Sequence, residues 1–285
     1  MLFDAEKQYL SIIKEIAIHG RTQFNARTQE EVLVLKRMPV IDVDLTDDFP
    51  VLHTKKIWER GVTEEIAWII RGETNIKGLG PAAKIWAKWA DENGELGPVY
   101  GKQFRDFHGV DQLQGLIDKL NADPSTRQAV MTAWNPTEIP QMALPPCHGV
   151  VVQAFIVNGD LTLRMFQRSA DFFVGVPWNL AEYALLAHFI AAHTNSFASY
   201  VSIAFGHAHL YRNHLRQVGD QLERNSGGWL DYLAARMHHN DSGYRRPWVK
   251  YEKKEDPGFK NTRHNDFSFI NYTHHQPSIE APVAK

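Results

Sequence analysis

The chain has 285 residues, 44% of them hydrophobic and 22% charged, with a formal net charge of −2. That apolar content suffices for a sizeable core, and the near-neutral balance excludes a protein that coats nucleic acid, which needs a clear basic excess. The one cysteine excludes an internal disulfide or a cysteine-cluster metal site, and no apolar run reaches the ~18–20 residues that span a bilayer.

The N-terminal segment lacks the basic region and small-residue cleavage site of a secretory leader, so the expected location is cytoplasmic. Tyr9, Ile12, Ile13 and Ile16 share one helical face opposite Lys7, Ser11 and Lys14, and Gly20 ends this helix. Residues 27–55 read as short strands and turns. Residues 63–71 predict a helix with Thr63 available as N-cap and Ile66, Ile69 and Ile70 on one face. Residues 111–120 predict another, before the turn signal Ala122-Asp123-Pro124.

A strand is expected at 128–134. The arms 150–157 and 161–168, joined by Asn158-Gly159-Asp160, predict a hairpin. Residues 179–193 predict a long, central apolar helix, 200–205 a strand and 210–218 a helix; beyond about Gly227 the chain reads as irregular and polar. No repeat or linker divides it. The expectation is one α+β domain over 1–285 with a large mixed sheet, not a regular βαβ alternation.

Two segments carry chemistry. The first is Leu144-Pro145-Pro146-Cys147-His148. A lone cysteine is most often a small buried hydrophobe. As a nucleophile it needs nearby cations, because a thiol with a free pKa of ~8.5 is only a few per cent ionised at pH 7. The second runs from Gln167 to Asn179, through Arg168, Ser169, Asp171 and Gly175. Arg168 and Ser169 suit a phosphate, one as a planar donor fork and the other as a hydroxyl donor. Asn179 holds donor and acceptor on one planar group, which can pair with the O4 and N3–H edge of uracil. The bland alternative is a strand-to-helix corner with an Asn cap and a surface Arg.

These motifs, together with residues 49–75, residues 85–105, His209-Leu210-Tyr211-Arg212-Asn213-His214 and the terminal Ile279-Glu280-Ala281-Pro282-Val283-Ala284-Lys285, resemble the folate-dependent thymidylate synthase family. The resemblance covers nearly the whole chain, with several long motifs in order. It implies a homodimer whose large sheet forms the subunit interface, and a reaction between dUMP and 5,10-methylenetetrahydrofolate as co-substrate, without a metal. It gives Cys147 the attack on uracil C6, Glu65 acid–base work through ordered water, Tyr100 a part in removing the C5 proton, and Asn179 recognition of the base. Arg27, Arg168 and Ser169 would bind the phosphate, joined by Arg127 donated across the dimer interface. His209 and Tyr211 would hold the 3′-hydroxyl. Trp86, Trp89, Asp171, Gly175 and Ala284 would line the folate site, and the tail from Ala281 to Lys285 would close over it.

The chain departs from the family at five places. The phosphate loop RTGxGT reads Arg27-Thr28-Gln29-Glu30-Glu31-Val32, and the paired arginines of the partner's phosphate site read Arg127-Gln128. One charge-assisted hydrogen bond contributes about 1.5–3 kcal/mol, so Lys55 and Lys56 become candidate replacements. QWRxW reads Gln103-Phe104-Arg105-Asp106-Phe107, GDxH reads Gly206-His207-Ala208-His209, and the last residue is Lys285. A poorly sealed folate pocket would let water capture the exocyclic methylene, so the alternative is a dUMP hydroxymethylase of the kind used by bacteriophages with modified DNA. Trp86 and the tail favour methylation. Asn179, where dCMP enzymes have Asp, favours dUMP.

Two readings lie outside this class. One is a metal enzyme using His207, His209 and His214. The other is a non-catalytic nucleotide- or RNA-binding relative, against which Cys147, Glu65 and Asn179 argue. Neither nucleic acid nor membrane is an expected partner.

Overall fold

A computed structural model describes residues 4–46, 49–226, 247–254 and 257–283. Helix α1 (Asp4–His19) buries Tyr9, Ile13 and Ile16 completely, as its periodicity predicts, and Gly20 ends it with an N–H bond to the Ile16 carbonyl. Strands β1 (Arg21–Asn25), β2 (Glu30–Val34) and β3 (Val40–Asp44) follow. Helix α2 (Glu59–Arg71) begins four residues before the predicted start. Thr63 is therefore not its cap: it lies buried in the second turn, where its hydroxyl donates to the Glu59 and Arg60 carbonyls. The next elements are α3 (Ala83–Trp86), α4 (Tyr100–Arg105) and α5 (Gln112–Ala122), the last capped by the Asp111 carboxylate accepting from Gln114 N–H.

The strand expected at 128–134 shrinks to β4 (Val130–Met131). The hairpin is present as β5 (Val151–Val157) and β6 (Asp160–Asp171). Asn158 and Gly159 take φ of 55° and 89°, the left-handed pair that a two-residue hairpin turn requires. Helix α6 (Gly175–His193) starts four residues earlier than expected and leads into β7 (Phe197–Tyr211). β7 absorbs the start of the helix predicted at 210–218, so helix α7 (Leu215–Ser226) begins only after a short turn. The cause is tertiary: β7 continues because His209, Leu210 and Tyr211 pair with Val34, Leu33 and Val32 of β2. In the region expected to be irregular, β8 (Trp248–Tyr251) and β9 (Phe267–Ile270) form a small antiparallel sheet.

The main sheet has seven strands in the order β1-β2-β7-β6-β5-β4, with β3 also pairing along β7. Every pair is antiparallel except β6 and β7, which are parallel and joined by α6. Parallel neighbours need a long crossover, which α6 supplies. That helix is apolar on all sides and buried, with Leu180, Leu185, Leu186, Phe189 and Ile190 at most 1% exposed. Each such side chain contributes about 1.5–3 kcal/mol of transfer free energy. The opposite sheet face is partly open: Val40 and Val151 are 39% and 46% exposed.

Candidate active site

Parallel strands that end together create a crevice beyond their carboxyl ends. Here β6 ends in Arg168, Ser169 and Asp171 and β7 ends in His209 and Tyr211, with Ser169 beside His207 and Asp171 beside His209 in register. The start of α6 presents Asn179 to the same place. The Cys147 loop, running into β5, is tied to it by the Arg168 backbone N–H donating to the Cys147 carbonyl at 2.9 Å.

Cys147 is half-buried. Its N–H donates to the Tyr100 hydroxyl at 2.8 Å. The Arg168 guanidinium reaches back along the loop, donating to the Pro146 and Pro145 carbonyls at 2.7 and 2.9 Å. That grip uses Nε and one Nη2 hydrogen, which leaves three N–H donors for an anion. Burial pushes the Cys147 thiol up from its ordinary pKa; Arg168 and Arg27 act against this, and Asp171 acts with it. The resting thiol is thus protonated, and ionisation must be drawn out in the loaded site. His148 does not supply the cation. It is buried, stacked on Tyr100 at 4.3 Å and 3.0 Å from the Tyr183 hydroxyl, and burial lowers its pKa to about 3.

Two buried carboxyls act electrostatically on Tyr100. Glu65, from α2, accepts the Trp86 indole N–H at 3.0 Å, and burial raises its pKa to about 7. Glu182, from α6, is raised well above the carboxylate range by burial and then by the charge of Glu65. The Trp178 indole N–H makes no well-formed hydrogen bond, yet it acts on both carboxyls and favours their ionised forms. Burial raises both carboxyls and the charge of Glu65 raises Glu182 further, so the pair retains a proton at neutral pH.

Asn179 is buried in a chain of amides: Gln167 Nε2 donates to its Oδ1 at 3.0 Å, and its Nδ2 donates to Glu182 Oε2 at 3.0 Å. Asp171 caps the corner before α6, accepting from the Phe173 and Val174 N–H groups at 3.0 and 3.1 Å, and Gly175 opens that helix. His209 is buried, its Nδ1 lying 3.0 Å from the His207 carbonyl and 3.2 Å from His207 Nδ1; Tyr211 is also buried. Trp86 meets Trp89 and Tyr100 edge-on at 5.6 and 6.2 Å, forming an aromatic wall.

Other expected residues lie apart. Arg27 is exposed in the turn between β1 and β2, although its charge reaches Cys147 and His209. Arg127 is exposed just before β4 and does not act on Cys147 within its own chain. Lys55 is turned away from an anion role: its ammonium bonds the Phe173 carbonyl and sits over the Phe173 ring at 4.0 Å. Burial lowers its pKa to about 8. Lys56 is exposed. Ala284 and Lys285 lie outside the described residues. The tail before them is held where the Pro282 carbonyl meets His214 Nε2 at 2.8 Å and the Val283 carbonyl meets Lys88 Nζ at 3.0 Å. His214 is thus committed to the tail, and among the described residues no group of three or more His, Cys, Asp or Glu is arranged to hold a metal ion. No helix among them is long and apolar enough to cross a membrane.

Sequence reasoning singled out neither Glu182 nor Trp178. The available signal was an acid inside the otherwise apolar run of α6, one turn after Asn179.

The fold and these groups define an enzyme, a transferase of one-carbon units. The family profile described as thymidylate synthase matches residues 7–285. Thymidylate synthases of Coxiella burnetii, strains Dugway 5J108-111 and RSA 331 / Henzerling II, are 39% identical over 286 aligned residues, covering 98% of this chain and 99% of theirs. The chain belongs to the thymidylate synthase family.

Proposed function

We propose that the protein, as a single catalytic domain, converts dUMP and 5,10-methylenetetrahydrofolate to dTMP and dihydrofolate. The observation that carries this reading is the convergence of the Cys147 loop, the Arg168 fork and the Asn179 amide at the carboxyl ends of β6 and β7. The Cys147 thiolate adds to uracil C6, and the electron pair moves through C5 to an enolate oxygen at C4. C5 then attacks the methylene carried by the folate. Loss of the C5 proton, with Tyr100 beside the thiol loop and Glu65 working through water, expels tetrahydrofolate and leaves an exocyclic methylene. Hydride from that folate reduces the methylene to methyl, dihydrofolate forms, and the Cys147–C6 bond breaks to release dTMP.

Phosphate recognition is assigned to Arg168 and Ser169, with Arg27 and, in a homodimer, the partner subunit's Arg127. His209 and Tyr211 are assigned to the ribose. Reduction in place of hydration requires a dry methylene. The Trp86–Trp89–Tyr100 wall and the tail anchored by Lys88 and His214 support it. The second reading, a hydroxymethylase releasing tetrahydrofolate, is favoured by one observation: the bare oxygen of Glu182, which could hold a water near Glu65.

Purified protein incubated with dUMP and 5,10-methylenetetrahydrofolate is expected to give dTMP by mass spectrometry, with dihydrofolate in equal amount. A nucleotide one oxygen heavier, with tetrahydrofolate, would replace this reading with the second.

A further inference from the structure

Glu182 is 2% exposed, and one of its oxygens, Oε1, is buried with no hydrogen-bond partner among the described residues. A bare buried carboxyl oxygen is costly and is not expected in a group that only packs. The other oxygen, Oε2, accepts from Asn179 Nδ2 at 3.0 Å. We propose that Glu182 is a specificity-determining positioning residue: by accepting from Asn179 it fixes which way that amide faces, and so selects uracil over cytosine. This rests on Asn179 being the group that reads the base.

The orientation of the amide follows from its neighbours. The Ser169 carbonyl can only accept, so the end of Gln167 that meets it at 3.1 Å is Nε2. The same Nε2 lies 3.0 Å from Asn179, so the atom there is the acceptor Oδ1. Nδ2 therefore faces Glu182. One Nδ2 hydrogen and one Oδ1 lone pair are then engaged, and one donor and one acceptor remain side by side. That pair complements O4 and N3–H of uracil. A flipped amide would offer the reverse pair, which complements the N4 amino group and N3 of cytosine.

Glu182 and Gln167 oppose the flip together: it would set Oδ1 against Oε2 and Nδ2 against Gln167 Nε2, and relieving it requires the carboxyl proton to move to Oε2 and Gln167 to give up the Ser169 carbonyl. Glu65 of α2 lies on one side, and His148 Nε2 stands 3.9 Å from Oε2. Burial and the Glu65 charge favour the protonated acid. Because Oε2 is occupied by the Asn179 donor, the proton resides on Oε1.

The test is discrimination and not activity alone. Glu182→Leu removes the acceptor at nearly constant volume. Its ratio of kcat/KM for dUMP over dCMP is expected to fall about tenfold to a hundredfold, the scale of one oriented hydrogen bond. Glu182→Gln, which can turn its own carbonyl to Nδ2, is expected to keep the preference. Glu182→Met makes the same comparison if the leucine variant does not fold. A folded Leu or Met variant with an unchanged ratio would overturn the proposal, as would a Gln variant that loses the preference equally. Asn179→Asp separates the two levels: if it leaves dUMP favoured, the base-reading assignment itself fails. If it shifts preference to dCMP while Glu182→Leu does not, only the role of Glu182 fails.

Discussion

Glu65 shows at the scale of one residue how burial couples chemistry to stability. In the unfolded chain its carboxyl titrates near the ordinary 4.5, whereas in the fold burial raises it to about 7. Ionisation therefore favours the unfolded state. The contribution is intact below about pH 4.5 and lost as pH rises through about 7, amounting to about 3 kcal/mol. Denaturant midpoints measured at pH 5 and pH 8.5 are expected to fall with pH in the native protein, and to fall less in Glu65→Gln. Activity runs the other way. A Glu65 that accepts a proton must be ionised, so kcat is expected to decline below about pH 7, and a flat profile there would remove Glu65 from the proton path. Cys147, Arg168 and Asn179 were legible in the sequence because they sit in long motifs. Glu182 was not, because an acid inside an apolar helix reveals its role only when the fold buries it within reach of the Glu65 charge and the Asn179 amide.

At the scale of elements, α2 and α6 meet through very small clearances. A β-carbon at Gly61 would stand 2.5 Å from both Trp178 Cη2 and Trp58 Cε3, so that position admits only glycine while the two indoles stay in place. Gly61→Ala is expected to cost about 1–3 kcal/mol by overpacking and to lower Tm by several degrees. Because Trp178 acts on both carboxyls, the same variant should also move the acid limb of the kcat profile; calorimetry with a pH–rate series checks both effects. The hairpin and α1 were readable from local signals, Asn158-Gly159 in one and apolar spacing in the other. The length of β7 was not. His209 becomes strand through pairing with β2 and β6 and Tyr211 through pairing with β2, a long-range fact that no window of sequence contains. The start of α6 was missed for a related reason: Asp171 caps the corner from four residues before the helix begins.

At the scale of the molecule, the open sheet face is where the proposed homodimer would form. Val40, Val151 and Phe166 line a shallow depression there together with Gln153, Arg164 and Ser202. Val151→Glu is expected to convert the dimer to a monomer in sedimentation velocity and, because Arg127 is assigned to the partner's phosphate site, to weaken dUMP binding. A variant that remains dimeric would move the interface elsewhere. The α+β class was legible from the mixture of expected helices and strands, and the extent of the family resemblance from motif order. The sheet order was not, since it depends on which distant strands find β7.

The parallel pairing of β6 with β7 also bears on how the chain acquires activity. Antiparallel hairpins such as β5–β6 can form from neighbours in sequence, but β7 cannot dock beside β6 until α6 has closed the crossover. The thiol loop, the arginine fork and the amide all wait on that event, so competence is gained in one late, non-local step. During refolding, hairpin protection should precede nucleotide binding, and a nascent chain that has not yet emerged past Tyr211 has no crevice to offer.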